Sequence, residues 1–561
     1  MRILVLQTTR MGDTLQTSPM IRGLRQKHPG AHIAVMVRPM AKTIAERNPD
    51  INEVIVYEED GMFLDLRAQD SERLLRAYNK AEEYIQRLKD GRFDVAYNCT
   101  HSIASASLLK LAGIPKVVGA HLSDDGQFVL RGPWVKYFFT SVFHRDYNDL
   151  NLCDISHRFV PDAPAAPGLV FEVQEEDRQF VAGLLAEHRV GPDDFVACFQ
   201  LGASEEAKRW PEVHFAGLGR LLAEKRNARI FLVGVKDEAP LGEAFEGHAP
   251  GVAVPLYGKT SLPELAALLE RAQVLVTNDT GTMHIAAAMH CPVVLVSVGY
   301  VHFRETGPYG AGHCAIERRR ARLGRIDIVT DGPEERLKIS PEQVLRAVDL
   351  TLDADLKGPV VQTTDPAALA GGDLYMTRFA PDGCLEWYPV VRRPVTKADF
   401  IRVAYRAMWL DHLHAQPNTQ AERDSLELMA GYYEPPHDES IEAWRTALTT
   451  EFGQLAELAK RGSRDTEKLL TQLEKKQAMR KAQQTVRQLT DLDEEMRLFS
   501  ELHRAGKPLI MISRFERDNL EGADPVVLAR STLQIYRDCF ARAGLMRKKL
   551  DLVADAFCAR T

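Results

Sequence analysis

Residues able to carry chemistry stand in four short loops, each of which follows an apolar run typical of a buried strand. The first loop holds Gly12-Asp13 and follows the run Ile3 to Leu6. Asp13 lies near the predicted start of a helix, where the positive end of the helix dipole stabilises a carboxylate as the anion. An anionic carboxylate suits a general base that removes a proton from a hydroxyl. Asp is equally a favoured helix cap, so the residues alone leave both roles open.

The second loop, Gly202 to Pro211, places two cations directly before a predicted helix. Cations at this end of a helix are disfavoured by its dipole unless an anion joins them. Lys208 can therefore neutralise a departing phosphate, while Ser204 donates a hydrogen bond. The alternative is that Lys208 and Arg209 form a solvated pair, which is the commoner arrangement for such residues.

The third loop follows a strand that ends at Gly234, and it contributes Asp237 and Glu238. Their carboxylates can accept hydrogen bonds from the hydroxyl groups of a ribose. Adjacent acidic residues are also common on protein surfaces, where they bind nothing. The residues of this loop do not decide between the two roles.

The fourth loop lies within the stretch Val274 to Gly299. A strand over Val274 to Thr277 is predicted to turn through Asn278-Asp279-Thr280-Gly281 into a helix rich in Ala. Such a turn aims backbone N–H groups and the positive end of a helix at one point, which suits a phosphate. His284, one turn into the helix, can touch that phosphate or simply pack. The alternative for the whole stretch is an ordinary α/β crossover.

Strands that alternate with helices from Arg2 to about Leu352 position these loops. The pattern predicts βαβ units and parallel sheets, whose ligands bind outside the carboxyl ends of the strands. Pro19 lies within the first helical pattern and is expected to bend or restart that helix. A Pro/Ala cluster at 161–167 reads as the linker between two such α/β sets.

Composition places the chain among globular proteins. Its 561 residues are 45% hydrophobic and 27% charged, as in globular proteins. A chain of this length is too long for one core, which predicts two to four domains. The net charge of −7 gives no argument for nucleic acid, and the eight scattered cysteines suit neither zinc nor a disulfide framework. The N-terminal apolar run is too short for a signal peptide, and no run reaches membrane-spanning length. We therefore expect a cytoplasmic protein, with peripheral contact at the inner face of a membrane left open.

The C-terminal third has a different character. A linker-like segment leads into a predicted β-hairpin over Leu374 to Val391, and the chain is predicted to be helical after Thr396. Gly462-Ser463 is expected to interrupt these helices. One apolar stripe recurs at three- and four-residue steps and comprises Val486, Leu489, Leu492, Met496, Phe499 and Leu502. It predicts a helical hairpin or short coiled coil that packs on its own chain, forms a homodimer, or docks an acceptor-bearing protein.

Five motifs in order resemble the ADP-heptose:lipopolysaccharide heptosyltransferase family, which is glycosyltransferase family nine. They are MRILVLQTTRMGDTLQTSPMIRGLR, GASEEAKRWPEVHFAGLGRLL, VGVKDE, LYGKTSLPELAALLERAQVLVTNDTGTMHIAAAMHCPVV and ETGPYG. The resemblance runs from Met1 to about Leu352. It implies a GT-B fold: two Rossmann-like domains, at 1–160 for the acceptor and 161–354 for the donor, facing across a cleft. A linker and hairpin at 355–395 and a helical extension at 396–561 lie beyond it.

The resemblance also implies an inverting, metal-independent transfer of a sugar from a nucleotide diphosphate, with ADP and heptose as the family defaults and no cofactor. Asp13 would be the general base and Lys208 would steady the departing phosphate. The remaining positions would bind the donor, and they are Thr9, Arg10, Gly12, Ser204, Glu238, Asp279, Thr280, Gly281 and His284. The acceptor would be a saccharide, lipid-linked or protein molecule.

Two stretches depart from the family pattern. Gln200-Leu201 replaces the usual His-Pro, and Gly299 to Arg304 lacks the usual Gly-x-Thr turn. The alternatives to the transferase are a non-catalytic sugar-nucleotide or carbohydrate-binding protein, a protein O-glycosyltransferase that docks its acceptor on the extension, and a sugar-nucleotide epimerase. The transferase predicts that Asp13→Ala retains nucleotide binding and loses transfer.

Overall fold

A computed structural model describes residues 1–143, 145–165, 168–299, 301–318, 336–353, 372–413, 418–436, 439–475 and 479–559. The predicted linker after residue 354 and the end of the Pro/Ala cluster at 166–167 lie outside these residues. The described chain divides into two compact units. Unit 1 comprises Met1–Leu6, Glu59–Asp149 and Pro394–Thr561, and unit 2 comprises Gln7–Glu58 and Leu150–Arg393. The domain boundaries at 160, 354 and 395 remain predictions.

The strands are short and mostly buried, as expected for parallel sheets covered on both faces. In chain order they are β1 (Arg2–Gln7), β2 (His32–Val37), β3 (Glu53–Val56), β4 (Val95–Asn98), β5 (Val117–Leu122), β6 (Phe128–Arg131), β7 (Val196–Gln200), β8 (Arg229–Val233), β9 (Ala253–Pro255), β10 (Val274–Thr277), β11 (Val293–Ser297), β12 (Cys314–Arg318), β13 (Gly372–Phe379), β14 (Leu385–Pro389), β15 (Arg393–Pro394) and β16 (Tyr433–Glu434).

The helices lengthen towards the C-terminus. They are α1 (Met11–Gln16), α2 (Ser18–Lys27), α3 (Lys42–Glu46), α4 (Glu59–Arg67), α5 (Ser71–Asp90), α6 (Ile103–Ala112), α7 (Pro133–Phe143), α8 (Leu152–His157), α9 (Glu175–Glu187), α10 (Glu212–Arg226), α11 (Ala239–His248), α12 (Leu262–Arg271), α13 (Gly281–Ala288), α14 (Phe303–Thr306), α15 (Pro341–Asp353), α16 (Lys397–Leu413), α17 (Thr419–Ala430), α18 (Ile441–Glu474), α19 (Met479–Leu502), α20 (Lys507–Asp518) and α21 (Pro525–Cys558). Short 3₁₀ turns lie at Pro39–Ala41, Arg145–Tyr147, Glu206–Lys208, Lys236–Glu238 and Arg504–Gly506.

Local signals explain several helix boundaries. Helix α12 begins after Ser261, whose hydroxyl accepts from the Glu264 N–H while the Glu264 carboxylate accepts from the Ser261 N–H. This reciprocal pair is a capping box. The sequence predicts a helix over Leu262 to Arg271, and these bounds are the observed ones. Pro19 is the second residue of α2, and the helical pattern restarts between α1 and α2 as predicted. The sequence predicts a helix from Thr14, whereas α1 begins at Met11, so Asp13 lies in its first turn.

Unit 2 contains a sheet in the order β14-β13-β12-β11-β10-β7-β8-β9. Its strands β7 to β12 pair in parallel, whereas the β13–β14 hairpin adds to β12 in antiparallel fashion. The predicted hairpin is therefore present, and it extends this sheet. Strands β2 and β3 of the same unit also pair in parallel.

Unit 1 contains β1, β4 and β5 in parallel pairing, with β6 antiparallel to β5. The same unit holds α16 to α21, so the predicted α/β class with a helical C-terminal extension is confirmed. Helix α18 runs unbroken through Gly462-Ser463, which corrects the expected interruption there. Gly462 provides room for the Tyr536 ring, because a methyl group at position 462 would lie 2.5 Å from that ring. This glycine is therefore explained by the close packing of α18 on α21. It does not mark the end of a helix.

The apolar stripe predicted on the long helix is buried at its centre. Leu489, Leu492 and Met496 of α19 are buried within unit 1, whereas Val486 and Leu502 are exposed at its two ends. Packing within the chain thus accounts for the middle of the stripe.

The aromatic segment around α7 packs against the extension. Tyr137 meets Trp409 with ring centres 5.2 Å apart, and Tyr147 stacks on Tyr405 at 5.7 Å. A buried ion cluster reinforces this contact, because Arg402 and Arg406 both pair with Asp149. The extension is therefore an integral part of unit 1. Among the described helices, each is too short or too polar to cross a membrane.

Candidate functional site

Three of the predicted loops leave neighbouring strands of unit 2 at the same level. In the register of the sheet, Gln200 at the end of β7 lies beside Val233 of β8 on one side and Thr277 of β10 on the other. Because these strands are parallel, the loops after β7, β8 and β10 emerge together at the carboxyl edge. This edge is where an open α/β sheet binds its ligands.

Asn278 joins the loops after β7 and β10. Its amide Nδ2 donates to the Leu201 carbonyl at 2.8 Å, and its Oδ1 accepts from the Trp210 N–H at 2.9 Å. Asn278 is fully buried. The predicted phosphate loop is thus fixed to both ends of the loop that carries Lys208, a role that its position in a turn did not reveal.

Lys208 and Asp279 are brought together by this arrangement. The Lys208 ammonium lies 3.5 Å from the Asp279 Oδ2, with both side chains largely buried. Lys208 belongs to the 3₁₀ turn Glu206–Lys208, and Asp279 follows β10 by two residues. The carboxylate holds the ammonium at the carboxyl edge of the sheet, so Asp279 orients the cation.

The Glu238 carboxylate is wedged between two glycines. A methyl group would lie 1.6 Å from Glu238 Oε1 at Gly202 and 2.3 Å from Oε2 at Gly234. Gly234 also has φ +155°, which disfavours other residues. Oε2 accepts from the Gln200 Nε2 and the Val235 N–H, each at 3.0 Å. Close backbone approach therefore explains both glycines.

Gln200 shows what the first departure from the family pattern does. Its Nε2 binds Glu238, while its Oε1 accepts from the Thr282 hydroxyl at 3.2 Å. The side chain is 3% exposed. Gln200 therefore connects the third loop to the helix of the fourth. The only sign of this role in the sequence is the departure from the usual His-Pro.

Gly12 and Asp13 lie in the first turn of α1, which belongs to the same unit, and this turn contacts α13. A methyl group at Gly12 would lie 3.0 Å from the Cδ2 of His284, and one at Gly281 would lie 3.0 Å from the Met11 methyl. Asp13 Oδ2 accepts from the Thr9 hydroxyl at 2.8 Å and from the Arg10 N–H at 3.2 Å. Asp13, the third residue of α1, thus satisfies the backbone N–H of the N-cap residue Arg10, and it also lies next to the predicted phosphate loop.

His284 is 6% exposed, and its Nδ1 has no hydrogen-bond partner among the described residues. Burial lowers the pKa of His284, an effect that the nearby carboxylates of Asp279 and Asp13 oppose. A neutral imidazole with one unused nitrogen suits a hydrogen bond to a ligand. Thr280 and Gly281 begin α13, whereas Ser204 is exposed in its loop. The structure therefore brings together most of the predicted site residues.

The ETGPYG motif serves the fold of unit 2. The Tyr309 hydroxyl donates to the buried Asp154 at 2.9 Å, and the other oxygen of Asp154 accepts from the Leu385 N–H. Asn151 donates to the Gly307 carbonyl at 3.4 Å. These bonds fasten the motif to α8 and to the β13–β14 hairpin.

The parallel sheets and the loops at their carboxyl edge define an α/β protein with a candidate ligand site at that edge. Residues 82–321 match the model of glycosyltransferase family 9 (heptosyltransferase). Over these residues the chain is similar to the heptosyltransferase-like glycosyltransferases.

Three similar proteins illustrate this relationship. Lipopolysaccharide heptosyltransferase 2 of Escherichia coli (strain K12) is 26% identical over 310 residues, covering 52% of this chain and 82% of that protein. Lipooligosaccharide heptosyltransferase 2 of Haemophilus ducreyi is 26% identical over 322 residues, or 53% of this chain and 83% of that protein. The solved structure of a family 9 glycosyl transferase from Veillonella parvula has a TM-score of 0.51 at 23% identity, covering 63% and 97%. That likeness supports the predicted fold.

Proposed function

We propose that this protein is an inverting glycosyltransferase that moves a heptose from an ADP-linked donor to a saccharide of a lipopolysaccharide core. The domain match and the relatives named above support the sugar and the acceptor class. The single observation that carries the mechanism is the contact of the Gly12-Asp13 turn with His284, because it sets a carboxylate beside the proposed phosphate loop.

In this mechanism Asp13 takes the proton from the acceptor hydroxyl as that oxygen attacks C1 of the sugar. The bond from C1 to the diphosphate oxygen breaks, so the configuration at C1 inverts and ADP leaves. Lys208 neutralises the charge that develops on the departing phosphate, together with the N–H groups at the start of α13. No metal is needed for this step, because the cation and the helix dipole supply the positive charge.

Glu238 and His284 bind the rest of the donor. Oε2 of Glu238 is engaged by Gln200 and Val235, so Oε1 is the oxygen that accepts from the ribose hydroxyls. His284 donates or accepts one hydrogen bond at the diphosphate. Thr9, Arg10, Ser204 and Thr280 complete the donor site in this proposal. Peripheral contact with a membrane and a homodimer through the C-terminal helices remain predictions.

A donor panel followed by two variants tests the proposal. ADP-heptose and ADP should raise the midpoint of thermal unfolding more than the GDP- or UDP-linked sugars, since a ligand stabilises only the state that binds it. Asp13→Asn should bind ADP normally but release about a thousandfold less ADP from ADP-heptose in the presence of heptose-free lipopolysaccharide. Asp193→Asn, which removes an exposed carboxylate of the same unit, is the matched control.

Two results would contradict the proposal. Transfer by Asp13→Asn at the wild-type rate would remove Asp13 as the base. If the wild-type protein turned over no ADP-heptose with any acceptor, the non-catalytic sugar-nucleotide-binding alternative would be favoured.

A further inference from the structure

Arg336 lies outside every motif of the sequence, yet it contacts the loop that carries Lys208. Its Nη1 donates to the Glu206 carbonyl and, at 3.4 Å, to the Arg209 carbonyl. Its Nη2 donates to the Glu206 Oε1 at 3.2 Å. The two carbonyls stand on either side of Lys208 in the chain. The guanidinium thus spans the short turn from which the Lys208 side chain projects.

The burial of Arg336 shows that the carbonyl bonds matter more than the ion pair. Arg336 is 7% exposed, whereas the Glu206 side chain is 79% exposed. An ion pair with such an exposed partner contributes little. The cost of burying a guanidinium is instead offset by its bonds to backbone carbonyls, which an arginine can bridge because its donors form a planar fork.

Neighbours of Arg336 fix the next part of the same loop. The Trp210 indole N–H donates to the Ile339 carbonyl at 2.9 Å, and the His214 Nδ1 lies 2.9 Å from the same oxygen. Trp210 is fully buried. The segment 336–339 therefore forms a continuous clamp along the loop from Glu206 to the start of α10.

Gly299 supports the loop from another direction. A methyl group at Gly299 would lie 2.6 Å from the Ala207 carbonyl oxygen, and its φ of +71° favours glycine. The backbone at position 207 is thus in tight contact with the end of β11. With Arg336 bound to the carbonyls of Glu206 and Arg209, the turn is held from two sides while the Lys208 ammonium reaches Asp279.

We propose that Arg336 is a positioning residue, which holds the turn Glu206–Lys208 so that Lys208 meets the β-phosphate of the nucleotide. The proposal rests on the function proposed above, because it assumes that Lys208 contacts that phosphate. Arg336 itself touches no substrate. It acts only through the Lys208 loop.

Comparison of ADP with AMP isolates this effect, because AMP lacks the β-phosphate. Binding of each nucleotide is measured by calorimetry on the full chain for wild type, Arg336→Met, Arg336→Lys, Lys208→Met and the double variant Arg336→Met/Lys208→Met. Arg336→Met should weaken the binding of ADP about tenfold and the binding of AMP less than twofold. Arg336→Lys, which keeps the charge but loses the planar fork, should fall between wild type and Arg336→Met.

The double variant decides whether Arg336 acts through Lys208. Two residues that act on one contact are not additive, so the double variant should bind ADP as weakly as Lys208→Met alone. Arg226→Met is the matched control, since Arg226 also forms an ion pair in unit 2, with Asp349 on α15. It should leave the ratio of ADP to AMP affinity unchanged.

Four results would overturn the proposal. Equal loss of ADP and AMP in Arg336→Met and Arg336→Lys would indicate a general structural role. Additive losses in the double variant would show that Arg336 acts independently of Lys208. An unchanged ratio in Lys208→Met would refute the role of Lys208 in the proposed function, whereas loss in Lys208→Met with none in Arg336→Met would refute only the positioning role.

Discussion

Gly12 and His284 stand so close that a methyl group at position 12 would lie 3.0 Å from the imidazole Cδ2. Fewer than one carbon contact in ten is this tight, so a side chain here forces the ring or the turn to move. His284 is buried and faces the carboxylates of Asp13 and Asp279. The size of residue 12 therefore sets the position of two groups assigned to the reaction.

Gly12→Ala should lower the rate of sugar transfer by about tenfold to a hundredfold, because small displacements of catalytic groups are costly. Gly30→Ala is the control, since a methyl group there meets no atom within 4 Å. The measurement is the rate of ADP release with acceptor present, alongside the midpoint of thermal unfolding. A Gly12→Ala protein with the wild-type rate would show that the contact has no bearing on transfer.

His101 should make unit 1 sensitive to acid. It packs against Phe138 and Phe139, and burial lowers the pKa of His101 to about 4. In the unfolded chain the pKa is about 6.5, so between pH 6.5 and 4 the unfolded state binds more protons. The contribution of neutral His101 to the free energy of unfolding is therefore fully present above pH 6.5. It is lost as the pH falls towards 4, and the loss is up to about 3 kcal/mol.

His101→Phe should flatten this part of the stability profile, since a phenyl ring fits among the aromatic neighbours and does not titrate. Urea unfolding of unit 1, followed by tryptophan fluorescence at pH 7.5, 5.5 and 4.5, compares the variant with wild type. Identical profiles for the two proteins would exclude His101 as the source of acid sensitivity.

Asp149 should be essential to unit 1. It is 5% exposed and pairs with both Arg402 and Arg406 of α16. Asp149→Asn removes the carboxylate that the two arginines share, and although Arg402 keeps its pair with Asp399, buried positive charge is left in excess, at a cost of about 3–5 kcal/mol. Arg497→Met removes an exposed pair with Glu494 in the same unit and should change the stability far less, because solvent screens an exposed pair. Denaturant unfolding measures both, and equal effects would contradict the burial argument.

Two glycines of one helix offer a matched pair. In α18, a methyl group at Gly453 meets nothing within 4 Å, whereas one at Gly462 lies 2.5 Å from the Tyr536 ring. Gly453→Ala should stabilise the protein by up to about 1 kcal/mol through helix propensity. Gly462→Ala gains the same propensity but should destabilise by about 1–3 kcal/mol through overpacking. Thermal unfolding of both variants tests this, and stabilisation by Gly462→Ala would contradict the packing seen here.

Local signals predicted the elements well where they act on the backbone directly. Helix α12 has its predicted bounds, and Pro19 separated α1 from α2. The same kind of reasoning was wrong at Gly462, because that glycine makes room for a ring 74 residues further along the chain. A helix breaker and a packing glycine have the same local sequence, and only the tertiary contact separates them.

The candidate site was predictable to the extent that its residues follow strands. Lys208, Glu238 and Asp279 sit in loops at the ends of β7, β8 and β10, and the order of parallel strands brings them to one edge. The bridging roles of Gln200 and Asn278 depend on side-chain direction, which periodicity does not encode. Arg336 carried no signal at all, since its partners are backbone carbonyls 127 and 130 residues away.

The pairing of Asp149 with Arg402 has a consequence for synthesis on the ribosome. These residues are separated by 253 positions. At a translation rate of about 5–20 residues per second, roughly 13–50 s pass before the arginine follows the aspartate out of the ribosome. Throughout that interval the aromatic segment and the Asp149 carboxylate lack the helices that cover them in the folded unit. Unit 1 therefore completes its folding only after its C-terminal helices have been made, and nascent chains should bind chaperones that recognise exposed aromatic surface.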